Sequence, residues 1–512
     1  MEVSLGRWMW PNFIFSALSL ALFMGQNSAS AQLLQIIHTN DLHSHFDHAR
    51  ELDRGNYAAV KTVMDRLKLD AQKQGIETLT LDAGDFSEDS IFYLPGQGVE
   101  AWRLQSALGY DAVTLGNHDW LAGPSHLNRL VQQTQPTFDL LGANFLFSGN
   151  LPDLEKHMHR WAEFKKAGAR IAVYGLTTSE FLYSWMAEPG LITDPIETAV
   201  EDLPEVRSKA DFVIALTHLG MKTDKKLVNN TTGIDLVVGG HSHTATYEPA
   251  WAKSADQKWV PVIQAGMHGR FVGDLLVDVE PGKPMQILRY QLIPIYSAEA
   301  HDSHVDQMID EARRHLENDY GKEWLQEVIG NSEVPLENAY VQGRKTWWSE
   351  FVAKSIRDAG KADASVDVTQ FEGFDQPAGP ITREQLFILY PRIFEFEKRY
   401  GWTVWTANVW GWFLKAGIQK AIALGVPLHF SGITYDTAAD GTAMNFKING
   451  EPFHWYQRYK IAFPEGIIRG AFGLNEALKL VLSSPKDTRV PIWQANEDHL
   501  KEVKVIRESH TD

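Results

Sequence analysis

The stretch Ile36–His45, IIHTNDLHSH, starts as an apolar strand and ends in a dense run of polar side chains. A strand sends alternate side chains to opposite faces, so residues two apart point the same way. Asp41 and His43 are therefore predicted to converge on one object, and a carboxylate with an imidazole suits a divalent metal. Outward from this segment, the pattern of an apolar run ending in polar residues recurs. It is found at residues 78–85 (TLTLDAGD), 111–119 (DAVTLGNHD), 212–220 (FVIALTHLG) and 234–243 (IDLVVGGHSH). Between some of these runs lie helix-like stretches such as residues 57–74 and 98–109. Strands alternating with helices predict a layered α/β architecture, with the polar strand ends gathered along one edge of the sheet, where such sheets bind ligands.

Those ends carry Asp41 and His43, Asp85, Asn117 and His118, His218, and His241 with His243. Two divalent ions a short distance apart need about this many oxygen and nitrogen donors, one of them a carboxylate able to bridge. The chain has no cysteine, so His, Asp, Glu or Asn must hold any metal. Its 512 residues, 44% hydrophobic and 22% charged, suit two or three globular domains. A net charge of -17 argues against a nucleic-acid polymer as partner.

An apolar run over residues 13–24 follows Arg7, and Ala29-Ser30-Ala31 precedes Gln32. This is the layout of a cleaved signal peptide over residues 1–31, and the run is short for a bilayer span. The expectation is a secreted or periplasmic protein with no stable membrane insertion.

The ordered motifs of residues 33–295 resemble those of the calcineurin-like dinuclear metallophosphoesterases, in particular the secreted 5′-nucleotidase and UDP-sugar hydrolase branch. The resemblance implies a four-layer α/β/β/α catalytic domain over residues 32–300. It implies two divalent ions, manganese, zinc or similar, with Asp41, His43, Asp85 and His243 around one. Asp85, Asn117, His218 and His241 surround the other, with Asp85 bridging and His118 on the substrate phosphate. Two such ions bring about four positive charges; two carboxylates and a bridging hydroxide leave about one to hold a phosphate. A hydroxide attacking phosphorus in line, with His118 stabilising developing charge, completes the implied reaction.

One position departs from the family pattern. Relatives resemble Gly-Asn-His-Glu-Phe-Asp, whose last carboxylate orients the histidine, whereas this chain has Leu121 there. Either Asp119, the candidate taken here, or a carboxylate from elsewhere supports His118, or His118 is less effective as an acid than in relatives.

Residues 301–332 read as a connecting helix, with His301 and His304 at a solvated helix start. Residues 333–512 resemble loosely the branch's C-terminal α/β substrate-recognition domain. Where relatives carry an arginine-bearing segment, this chain reads Gln370-Phe371-Glu372-Gly373-Phe374-Asp375, and Pro427 falls where a base-stacking ring is expected. Arg344 carries no assignment. Tryptophans 347, 348, 402, 405, 410, 412 and 455 lie in this half, and core packing is their expected role. The reading is a dinuclear-metal hydrolase of a small anionic phosphate ester, most simply a 5′-nucleotidase-like phosphomonoesterase, with unassigned substrate-binding residues. The alternatives are a 2′,3′-cyclic phosphodiesterase or thiosulfohydrolase-like enzyme on the same metals, and then a non-catalytic binding protein.

Overall fold

Alternation along the strand Leu33–Thr39 assigns its two faces to different cores. Leu34 and Ile36 face one apolar layer with Leu79, Leu81, Ile214 and Leu216, while Ile37 joins Val60, Val63, Met64 and Trp102 in another. The strand Phe212–His218 does the same, Ile214 and Leu216 facing the first layer and Val213 and Ala215 facing Leu203, Val206 and Leu227. Two sheets thus stack face to face with helices on each outer side, the predicted α/β/β/α layering.

One sheet has seven strands, and Leu33–Thr39, Glu77–Asp82, Ala112–Thr114 and Asp139–Leu141 run parallel within it. The other has six, with Ala169–Thr177, Phe212–His218 and Leu236–Gly239 parallel. Parallel strands in each sheet put the loops that follow them on a common edge. The helix Tyr57–Lys73 starts where the Asn56 side chain accepts the N–H groups of Ala58 and Ala59.

This computed structural model describes residues 32–507, apart from 48–53, 181–182, 189, 297, 340–342, 374, 393–400, 440–441, 470–476 and 479–483. The expected signal peptide lies outside the described residues. Among these no helix is long and apolar enough to cross a membrane.

The connecting helix runs over Ser303–Tyr320, capped by Asp302, whose side chain accepts the N–H groups of His304 and Val305. His301 pairs with Asp306, as suits a solvated helix start. Beyond it a five-stranded mixed sheet joins Leu428–Ser431, Ala364–Val368, Arg458–Pro464, Thr403–Trp410 and Lys486–Pro491. Trp348 and Trp402 lie in its core, whereas Trp412 and Trp455 are 39% and 52% exposed.

Candidate metal centre

The first strand ends at Thr39, so Asp41 and His43 are not strand residues as expected. Both sit on the loop beyond it with left-handed backbone, φ 53° and 51°. Turn geometry, not strand alternation, brings them together. Asp85 (φ 57°), His241 (φ 75°) and His243 (φ 53°) share that conformation, which non-glycine residues adopt at a cost and which clusters at functional sites.

Backbone pairing sets the loops side by side: Asp41 N–H donates to Gly84 O at 2.9 Å and His43 N–H to Asp85 O at 2.8 Å. The Asp41 carboxylate accepts the His241 N–H at 3.1 Å, and Asp85 Oδ1 accepts the His118 N–H at 2.7 Å. Gly116 permits that approach, because a Cβ there would lie 2.1 Å from Asp85 Oδ1.

The side chains gather in two neighbouring groups, with His43 Nε2 of one 3.8 Å from Asp85 Oδ2 of the other. Asp41, His43 and His243 offer ligand atoms within 4.8 Å of one another, as do Asp85, His218 and His241. His218 Nε2 lies 2.9 Å from Asp85 Oδ2, and His243 Nε2 lies 3.4 Å from Asp41 Oδ1. His43 Nδ1 is 2.9 Å from Glu88 O and His218 Nδ1 is 2.7 Å from Ala83 O. A carbonyl only accepts, so both rings carry a proton on Nδ1, which leaves Nε2 as the atom that a metal would take, the usual arrangement of a metal-ligating histidine.

This donor set fits a divalent cation. His43 and His243 face each other through Nε2 atoms 3.2 Å apart beside the buried Asp41 carboxylate, an arrangement that a shared cation satisfies. Asn117 Oδ1 is buried with no hydrogen-bond partner among the described residues. Burial opposes charge on His218, yet Asp85 and Asp41 hold its pKa up at about 10, a sign of how strongly this position favours positive charge.

Asp119 does not touch His118. Its Oδ1 accepts the N–H groups of Phe86 and Ser87, each at 3.0 Å, and its Oδ2 those of Asp85 at 2.9 Å and Gly116 at 2.8 Å. It is a cradle for the Asp85 loop, which corrects the expectation that it supports the histidine. The carboxylate on His118 is Glu88, with Oε2 2.5 Å from Nδ1. Burial pushes the Glu88 carboxyl up, and the Arg392 guanidinium opposes that shift. Burial likewise holds the His118 imidazole well below its ordinary value, against the pull of Asp85.

Sequence reading missed Glu88, Arg392 and Glu180, whose Oε1 lies 3.2 Å from His241 Nε2. Only Glu88 left a trace, as an acid three residues beyond Asp85 in a chain that lacks the carboxylate expected at 121. The acidic segment of residues 370–375 is structural in part: Glu372 accepts the Ala339 N–H and Asp375 the Asn338 N–H. Arg344 pairs with Glu337 at the surface.

Residues 34–245 match the family model described as calcineurin-like phosphoesterase. The chain is 25% identical over 476 residues to the trifunctional nucleotide phosphoesterase YfkN of Bacillus subtilis, covering 85% of this chain and 30% of that protein. It is 26% identical over 489 residues to a 5′-nucleotidase of Vibrio vulnificus, covering 86% of this chain and 85% of the relative. The crystal structure of a 5′-nucleotidase precursor from Thermus thermophilus superposes with a TM-score of 0.80 at 22% identity, over 93% of this chain and 97% of that one. At that identity the likeness speaks for the fold.

Proposed function

We propose that this chain, whose residues 34–245 match the calcineurin-like phosphoesterase family model, is a metal-dependent phosphoric ester hydrolase acting on small nucleotide-like phosphomonoesters. The observation that carries the reading is the pair of adjoining donor groups. Asp41, His43 and His243 form one, Asp85, His218 and His241 the other, and His43 with its Nδ1 tied back presents Nε2 inward. In this reading Asp41, His43, Asp85 and His243 hold one ion; Asp85, Asn117, His218 and His241 hold the second. Such ions, manganese, zinc or similar, supply Lewis acidity and lower the pKa of water at the site.

The chain's own groups then have separate tasks. His118, tied to Glu88 through Nδ1, presents Nε2 to the phosphoryl group or leaving oxygen, where an anionic phosphate would offset the burial that keeps the ring neutral and let it carry the proton that the departing alkoxide needs. The Asp119 cradle keeps Asp85 in its left-handed conformation at the junction of the two donor groups. Burial of Asp41, Asp85 and His118 keeps bulk water from screening these charges. Residues 32–300 form the catalytic domain in this proposal, residues 301–332 the connector, and residues 333–512 the substrate-recognition domain. The leader-like residues 1–31 support a secreted or periplasmic location.

The test is hydrolysis by residues 32–512, loaded with manganese or zinc, read as phosphate release from AMP and as the chromatographically resolved monoester products of UDP-glucose, a 2′,3′-cyclic nucleotide and an aryl diester. Metal-dependent release from AMP, abolished by chelation, is expected. Silence on AMP beside turnover of the diester overturns the substrate class and leaves the metal assignment standing.

A further inference from the structure

We propose that Glu88 is the positioning residue for His118, and that Arg392, from the second half of the chain, holds Glu88 in that role. The inference rests on the preceding reading of His118 and adds what orients it. Of the site's other acids near this histidine, Asp89 faces Arg392 and the rest are committed to backbone groups. Asp119 accepts four backbone N–H groups, Asp85 accepts the His118 backbone N–H, and position 121 is a buried leucine.

Glu88 is fully buried and places one oxygen 2.5 Å from His118 Nδ1. The same residue accepts from His43 Nδ1 through its backbone carbonyl. One residue thus orients two rings by separate groups, carboxylate for His118 and carbonyl for His43. A carboxylate on Nδ1 puts the proton there, turns Nε2 toward the reacting centre, and stabilises the imidazolium when Nε2 is protonated.

A buried carboxylate needs a partner of its own. Arg392 Nη1 lies 3.5 Å from Glu88 Oε2, and Arg392 Nη2 lies 3.8 Å from Asp89 Oδ1. Glu88, Asp89 and His118 together have the donor set of a further cation site. The buried guanidinium is the cation that meets both acids. A fixed side-chain charge here does what an exchangeable ion would do, while leaving His118 Nδ1 bonded to carboxylate. Glu88 and Arg392 are 304 residues apart in sequence. The second half of the chain therefore contributes to the chemistry through His118.

Glu88→Gln in residues 32–512 tests this, because it keeps volume and the backbone carbonyl on His43 while removing the charge. Proton donation matters for an alkoxide leaving group and hardly for nitrophenolate. Turnover of AMP should fall by about 10²-fold, the low end for general acid catalysis, and that of p-nitrophenyl phosphate by only a few-fold, with bound metal unchanged. Arg392→Met should show the same bias in smaller degree, and Arg392→Lys should recover part of it.

A second readout needs neither metal nor substrate. The His118 Nδ1 proton, assigned by its loss in His118→Gln, should resonate far downfield in the metal-free protein and move upfield in both Glu88→Gln and Arg392→Met. Equal losses on the two esters, or a ring proton indifferent to both substitutions, overturn the proposal. If the wild-type chain cleaves neither ester, the functional reading fails, and the resonance still decides whether Glu88 and Arg392 orient His118.

Discussion

An Asp119→Asn substitution puts an amide where four backbone N–H groups now converge. Oδ1 takes Phe86 and Ser87, and Oδ2 takes Asp85 and Gly116, at 2.8 to 3.0 Å. Asparagine keeps one acceptor oxygen and turns the other into a donor, so two of these N–H groups face an NH2 group. Hydrogen bonds to a charged acceptor contribute about 1.5–3 kcal/mol each, and a buried orphaned donor has a desolvation cost of similar size. Loss of two bonds at a site of 2% exposure is therefore worth roughly 3–6 kcal/mol, near the top of the range for single substitutions.

Asp85 is the residue released. It sits at φ 57° and is held there by this cradle, so relaxation of its loop should also weaken manganese binding, by about 10–100-fold for lost outer support. The assays are the urea unfolding midpoint of the metal-free protein and a calorimetric manganese titration, run beside Glu88→Gln. Asp119→Asn should lower the midpoint and the affinity together, whereas Glu88→Gln, which leaves the buried Arg392 charge with Asp89 alone, should lower the midpoint and leave the affinity near that of the wild type. A wild-type midpoint and affinity for Asp119→Asn, with turnover falling most on esters that need a proton donor, would refute the cradle and return Asp119 to a role on His118.

Gly116→Ala should cost manganese affinity more than tenfold, an extrapolation from losses of outer support, because its Cβ would fall 2.1 Å from Asp85 Oδ1. Gly417→Ala, with nothing within 4 Å of its Cβ, should raise stability by about 0.5–1 kcal/mol in the same unfolding assay. His38 lies between the two sheets beside Tyr290, and burial pushes its pKa down to about 3. Its native form stays neutral while the unfolded chain takes up a proton below pH 6.5, so stability falls with pH between about 6.5 and 3. The His38→Leu difference from wild type should shift in the variant's favour by about 1.4 kcal/mol per unit below pH 6; a difference constant from pH 7 to 4.5 would contradict the neutral assignment. Saturating manganese at about 100 times its dissociation constant should add about 2.7 kcal/mol of stability to the chelated protein, read as a raised thermal midpoint.

Layering and donor content were legible along the chain because both are local. Ile214 and Leu216 alternate with Val213 and Ala215 with a period of two, and that alone assigns a strand with two buried faces. The candidate donors Asp41, Asp85, Asn117, His218 and His241 each follow such a run, so parallel strands bring them to one edge without further information.

The wiring among those donors was decided in three dimensions. Asp41 and His43 meet through left-handed turns that strand alternation does not describe. Asp119 stands next to His118 in the chain and turns to backbone amides instead, while Glu88 reaches the ring across 30 residues and Arg392 reaches Glu88 across 304. Residue type and periodicity report which groups lie at a strand's end. Which buried carboxylate meets which cation depends on loop paths and on the need to pair every buried charge, conditions that only the assembled core imposes.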